Sequence, residues 1–157
     1  MNKNDIHVQS RAVIIKEKHI LLCKTTGLDP DFYFLPGGHI EHKESAKNAL
    51  LRELKEEIGF EFEIIRFLGC FEYSFDPDTK KHAKCHTHEY NFIFEANSNF
   101  LTTPHTALRQ LEDHINILWM PIDRLETIDL RPEPLKEFIP QWLNLNLNSA
   151  FESKMEG

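Results

Sequence analysis

The segment from Gly38 to Phe60, GHIEHKESAKNALLRELKEEIGF, constrains this chain more than any other stretch. It spaces its residues as G-x5-E-x7-R-E-(apolar)-x-E-E-x-G-(apolar). Gly38, Glu44, Arg52, Glu53, Leu54, Glu56, Glu57, Gly59 and Phe60 fill every specified position. From average residue usage, a chance match at a given start has a probability on the order of 10⁻¹⁰. Within the segment, residues 45–58 predict an amphipathic helix. Ser45 suits the N-cap, and Ala46, Leu50, Leu54 and Ile58 recur at i, i+4, i+8 and i+12, a stripe that Leu51 widens. Gly59 follows the last apolar position, where a left-handed C-cap is expected.

The same helix carries the acids. Glu53, Glu56 and Glu57 stand at i, i+3 and i+4, so they project from one face, beside the apolar stripe. One arc can pack on a sheet while its neighbour faces a cleft. Three crowded carboxylates repel unless a cation sits among them, and a hard divalent ion with oxygen ligands, Mg²⁺ above all, is the natural counter-charge. The competing reading is a solvated acidic face, and it is the surrounding pattern, rather than the carboxylates, that decides against it. Gly37 and Gly38 form a turn ahead of the helix where backbone can approach a ligand closely.

This pattern resembles the Nudix box, the signature of hydrolases that split a diphosphate linked to another group. The resemblance implies an α/β fold, a mixed β-sheet sandwiched between α-helices, over roughly the whole chain. It also implies a Mg²⁺-dependent site, with Mn²⁺ as a substitute. Glu53 would act as general base or metal ligand, Glu56 and Glu57 as metal ligands, and the Gly37 carbonyl would join the metal shell, with Gly38 next to the substrate. Arg52 would orient Glu53 through a charge-assisted hydrogen bond, and Glu44 would support the junction of loop and helix. Glu41 reads as an exposed loop carboxylate. Many members add a carboxylate from beyond the central sheet: Glu112, beside Asp113, is the first candidate here and Glu89 the second. Homodimers are frequent in the family.

Elsewhere the pattern is that of short strands. Residues 10–16 and 19–23 read as strands around a turn at Lys16-Glu17-Lys18, residues 25–31 as a loop, and Phe32 to Leu35 as a brief strand stopped by Pro36-Gly37-Gly38. Residues 60–75 predict one or two strands, 89–96 another and 115–120 a short one, with a loop over 97–110. Two helical pieces follow at 121–125 and 134–143, each with Pro near its start. The expected organisation is one domain over 1–157, with 144–157 a loosely ordered tail that frays or covers a neighbour.

Residues outside the box offer further candidates. His82, Cys85, His86 and His88 have the types of zinc ligands but lack paired metal-binding spacing, so a polar hairpin is preferred. Phe32, Tyr33 and Phe34 precede the glycine turn and could stack on a base, although strand aromatics usually serve the core. Arg11 could reach a phosphate or ribose. The family markers for NADH and coenzyme A cleavage are absent from the sequence. Pro77 comes close to the marker position for ADP-ribose, and Tyr73 falls slightly early for that of dinucleoside polyphosphates.

With 157 residues and a net charge of −7, the chain has no general attraction for nucleic acid, so no stable nucleic-acid partner is expected. The three cysteines show no paired framework, and no apolar run is long enough to span a bilayer. These features lead to the expectation of a cytoplasmic enzyme without a membrane partner. Its substrate would be a nucleoside diphosphate derivative, ADP-ribose-like in first place and a nucleoside triphosphate in second. The alternative is a non-catalytic module of the same fold that senses nucleotides; such modules usually lose box carboxylates, and this chain keeps them all.

Overall fold

The computed structural model describes residues 5–74, 88–144 and 151–154. Among these residues the strands form a five-stranded sheet in the order β5-β1-β7-β6-β9 and a second, four-stranded sheet centred on β3. The strands are β1 (His7–Val13), β2 (Ile15–Lys16), β3 (His19–Thr25), β4 (Tyr33–Phe34), β5 (Gly37–His39), β6 (Glu63–Ser74), β7 (His88–Asn97), β8 (Ile115–Pro121) and β9 (Phe151–Lys154). The helices are α1 (Ala46–Ile58) and α2 (Leu135–Leu143), with a 3₁₀ turn over Ile122–Thr127. The larger sheet is mixed: β1 runs parallel to β7 and β6 parallel to β9, while β1–β5 and β6–β7 are antiparallel.

The strand residues alternate between two cores, as a pleated sheet requires. On β1, Val13 joins Ile20, Leu22, Phe71 and Ile93 on one side, where Phe138, Ile139 and Trp142 of α2 cover them. Ala12 and Ile14 point the other way, toward Leu21, Phe94 and Ala96, covered by Leu50, Leu54 and Ile58 of α1. The two helices therefore flank the mixed sheet from opposite faces, which is the expected sandwich. Each fully buried Leu or Ile side chain of this kind contributes about 1.5–3 kcal/mol.

Helix α1 keeps both of its predicted ends. Ser45 Oγ accepts the Asn48 N–H at 3.1 Å, and Gly59 takes φ 85° while donating its N–H to the Lys55 carbonyl at 3.0 Å. The turn between β2 and β3 is also where the sequence puts it, with Glu17 and Lys18 both at positive φ, as a two-residue hairpin requires.

Four expectations need correction. The run over 10–16 is not one strand: it changes sheets at Ile14, β1 pairing with β5 and β7 while β2 pairs with β3. Gly37-Gly38 does not merely end a strand. It begins β5, because the backbone from Gly37 to His39 lies in register against Arg11 to Gln9. The first helical piece is a 3₁₀ turn that starts after Pro121. The tail over 144–157 is not wholly loose, since Phe151–Lys154 pairs parallel with Cys70 to Tyr73 at the sheet edge. Of the residues expected in a hairpin, Pro77, His82, Cys85 and His86 lie outside the described residues, whereas His88 opens β7.

Candidate active site

The site forms where α1 faces the loop and strand around Gly37. Glu57 is the most buried of the helix acids, 7% exposed, and its Oε2 accepts the Gly37 N–H at 2.9 Å. Burial pushes its carboxyl up to about 7; the Gly37 hydrogen bond and Arg11 pull it down, while Glu53 and Glu112 push it up further. A carboxylate of this kind is poised between protonation states near neutrality, and a nearby cation would tip it to the charged form.

Glu53 sits one turn earlier, half-buried against the Gly38 backbone. A Cβ on Gly38 would lie 2.4–2.7 Å from the Glu53 carboxyl atoms, so glycine is a steric requirement for that carboxylate position. Gly37 is constrained differently: its φ is 125°, and a Cβ there would meet the Ser10 carbonyl at 2.2 Å. Glu56 is the exposed member, with only a 3.5 Å approach to Arg52 Nη1.

Arg52 binds the acids together. Its Nε and Nη2 fork onto Glu44 at 2.9 and 3.0 Å, Nη1 donates to Glu53 at 2.9 Å, and Nη2 reaches the His39 carbonyl at 3.2 Å. Glu44 is held below the usual carboxylate range by the Arg52 hydrogen bonds and by the Glu41 N–H. Glu41 itself stays exposed, 3.9 Å from Arg52. Arg52 therefore spans loop, strand and helix, and fixes one oxygen of Glu53, while no hydrogen bond from the described residues reaches the other.

The remaining expected residues divide into two groups. Glu112 stands on the same side, close enough to raise both Glu57 and the buried thiol of Cys23, and its carboxylate lies 3.3 Å from His114 Nε2. Phe34 pairs with Cys23 across β3–β4 and so shares that face, whereas Tyr33 packs into the core. Phe32 lies 6.1 Å from Phe34 and is covered by the Arg131 guanidinium at 4.4 Å. Glu89, by contrast, is turned inward: Asn91 Nδ2 donates to its Oε1 at 3.0 Å and Gln9 Nε2 to its Oε2 at 3.3 Å. Arg11 turns back onto the protein. Its Nη1 donates to the carbonyls of Leu35 at 3.1 Å and Gly37 at 2.6 Å, and its Nε donates to Gln9 Oε1 at 2.9 Å.

Sequence reasoning passed over Gln9, Asn91 and Arg131. A signal for the first two was present: polar side chains at His7, Gln9 and Arg11, and at Glu89 and Asn91, recur at alternate positions of their strands.

The donor set suits a hard divalent cation, since Glu53, Glu56, Glu57, Glu112 and the Gly37 carbonyl offer only oxygen. Among the described residues, no three acidic, imidazole or thiol side chains already converge on one point.

A family model of the NUDIX domain matches residues 6–142. A diphosphoinositol polyphosphate phosphohydrolase 3-alpha of Homo sapiens is 37% identical over 62 residues, which cover 40% of this chain and 37% of the relative. An 8-oxo-dGTP diphosphatase of Proteus vulgaris is 30% identical over 80 residues, 50% of this chain and 70% of the relative. The match thus spans little more than a third of the human relative's length. The solved structure of a NUDIX hydrolase from Nitrosomonas europaea superposes with a TM-score of 0.70 at 22% identity, covering 89% of this chain and 90% of that one.

Proposed function

The chain belongs to the Nudix family, and from that premise we propose that it is a Mg²⁺-dependent pyrophosphohydrolase acting on a diphosphate bridge in a nucleoside diphosphate derivative. The observation that carries this reading is the set of helix acids held against the Gly37-Gly38 turn, with Glu57 bonded to one glycine and Glu53 packed on the other.

Glu57, Glu56, the Gly37 carbonyl and Glu112 would hold the cation. When bound, Mg²⁺ neutralises phosphoryl oxygens and makes a coordinated water more acidic. The residues of this chain do the rest. Glu53, with one oxygen on Arg52, would take a proton from water at the other. Arg52, itself locked on Glu44, keeps the Glu53 carboxylate aimed. Water then attacks one phosphorus of the bridge, its proton passes to Glu53, and the bridging oxygen leaves with the second phosphate.

The apolar ledge of Phe34 and Phe32 on the same face supplies a surface for the nucleoside base, with Arg131 closing its outer end. A ledge of this kind accepts a flat ring without reading its edge, so ADP-ribose-like compounds and nucleoside triphosphates both remain substrates of the reading. The test is a panel of both classes with Mg²⁺, coupled to a phosphatase that releases phosphate from the products. Turnover of at least one class supports the proposal, whereas tight nucleotide binding without turnover identifies a sensor.

A further inference from the structure

We propose that Arg11 is a positioning residue for this reaction: it fixes the loop carbonyls of Leu35 and Gly37, and is itself set by a buried Gln9–Glu89–Asn91 relay. The inference rests on the hydrolase reading above and adds Arg11, Gln9, Glu89 and Asn91 to its machinery.

Arg11 lies directly opposite Gly37 in the β1–β5 ladder, and its side chain folds back over that strand. Nη1 holds two successive loop carbonyls, Leu35 at 3.1 Å and Gly37 at 2.6 Å. Gly37 is thus gripped at both ends, its N–H by Glu57 and its carbonyl by Arg11. A carbonyl oxygen has two lone pairs, so the second stays available to a ligand in a direction that Arg11 sets. Glycine at φ 125° has little intrinsic preference for one orientation of this peptide. The guanidinium supplies the preference.

The other edge of the fork explains why a carboxylate is buried behind it. Nε and Nη2 both donate to Gln9 Oε1, which turns the Gln9 amide toward Glu89. Glu89 is 7% exposed, Gln9 3% and Asn91 2%. Interior groups of this kind cost stability unless every one is bonded. Here both Glu89 oxygens have donors, and the Arg11 charge lies one amide away. The chain Asn91–Glu89–Gln9–Arg11–Gly37 therefore runs unbroken from the sheet interior to the catalytic loop, with Phe34 flanking the Arg11 guanidinium at 5.7 Å. A purely structural role would need only bulk at these positions, and a substrate-binding role would need the fork to be free.

Three variants separate these roles: R11A, R11K and Q9L. Each is assayed for kcat and KM, for Mn²⁺ affinity without substrate by electron paramagnetic resonance, and for the amide NMR signals of Gly37 and Gly38, with thermal melting as the fold check. Arg11→Ala is expected to lower kcat and Mn²⁺ affinity by about 10–100-fold, as loss of outer-shell support does. Its KM should move by less than about threefold, and the Gly37 and Gly38 signals should shift. Lysine cannot hold two carbonyls and Gln9 at once, so Arg11→Lys should not recover the loss. Millimolar guanidinium should recover part of the R11A activity, and Gln9→Leu should show a weaker version of the same pattern.

Wild-type kcat and Mn²⁺ affinity in R11A would overturn the inference. So would a loss confined to KM, which marks a substrate contact, or a loss that only follows unfolding and resists guanidinium. If the wild-type protein hydrolyses nothing, the hydrolase reading fails on its own. The Mn²⁺ and amide measurements then still decide Arg11, and unchanged values in R11A would overturn its role.

Discussion

The Gly37 N–H donates to Glu57 Oε2 at 2.9 Å, joining the loop to the helix across twenty residues of sequence. That bond ties the most buried of the helix acids to a glycine whose φ of 125° and closeness to the Ser10 carbonyl disfavour any side chain. It also makes the protonation state of Glu57 a property of the fold.

Burial raises Glu57 from 4.5 to about 7, so without a divalent cation the folded protein binds this proton more tightly than the unfolded chain. The sign follows: the contribution to stability is fully present below about 4.5 and is lost as pH rises through about 7. Its size is roughly 3 kcal/mol. Urea unfolding with a chelator present should show this loss between pH 5 and 8, and Glu57→Gln should flatten the slope. Adding Mg²⁺ should recover stability most at the high end of that range.

Gly37→Ala and Gly38→Ala should fail in different ways. At Gly37 the new Cβ meets the Ser10 backbone at 2.2 Å with φ at 125°, which should cost about 1–3 kcal/mol or more in the unfolding free energy. At Gly38 the obstacle is the movable Glu53 carboxylate, so activity should fall while thermal melting stays near that of the wild type.

Arg52→Lys tests the fork. Lysine offers one compact charge and cannot hold Glu44, Glu53 and the His39 carbonyl together. Turnover should drop by about 10–100-fold with substrate KM nearly unchanged, as measured by steady-state kinetics.

Ser45→Ala is the matched control at the helix start. It removes the cap on the Asn48 N–H and should cost about 1 kcal/mol in denaturant unfolding, with kcat unaltered.

The legible parts of the structure were those where local chemistry decides. The α1 stripe, its Ser45 and Gly59 caps and the Glu17-Lys18 turn all depend on residues within a few positions of one another. What escaped depended on pairing at a distance. The change of sheet at Ile14 is set by which strands lie alongside, and nothing in the apolar run marks it. The pairing of Phe151–Lys154 with β6 is likewise a contact between segments some eighty residues apart. At the site, the box acids are readable because their spacing is helical. The bonds of Arg11 to Leu35, Gly37 and Gln9 were not readable, because Leu35 and Gly37 come beside it only when β1 and β5 pair.

Phosphorus chemistry at the helix acids is visible by ³¹P NMR of ADP-ribose and of a nucleoside triphosphate, each with the wild-type protein, Glu53→Gln and Glu57→Gln, in Mg²⁺ and in a chelator. The wild type should convert one of these compounds to new phosphate resonances only with Mg²⁺. Both variants should be slower by about a hundredfold or more, with unchanged circular dichroism. Near-wild-type turnover in both variants, or hydrolysis that persists in the chelator, would contradict the proposed function.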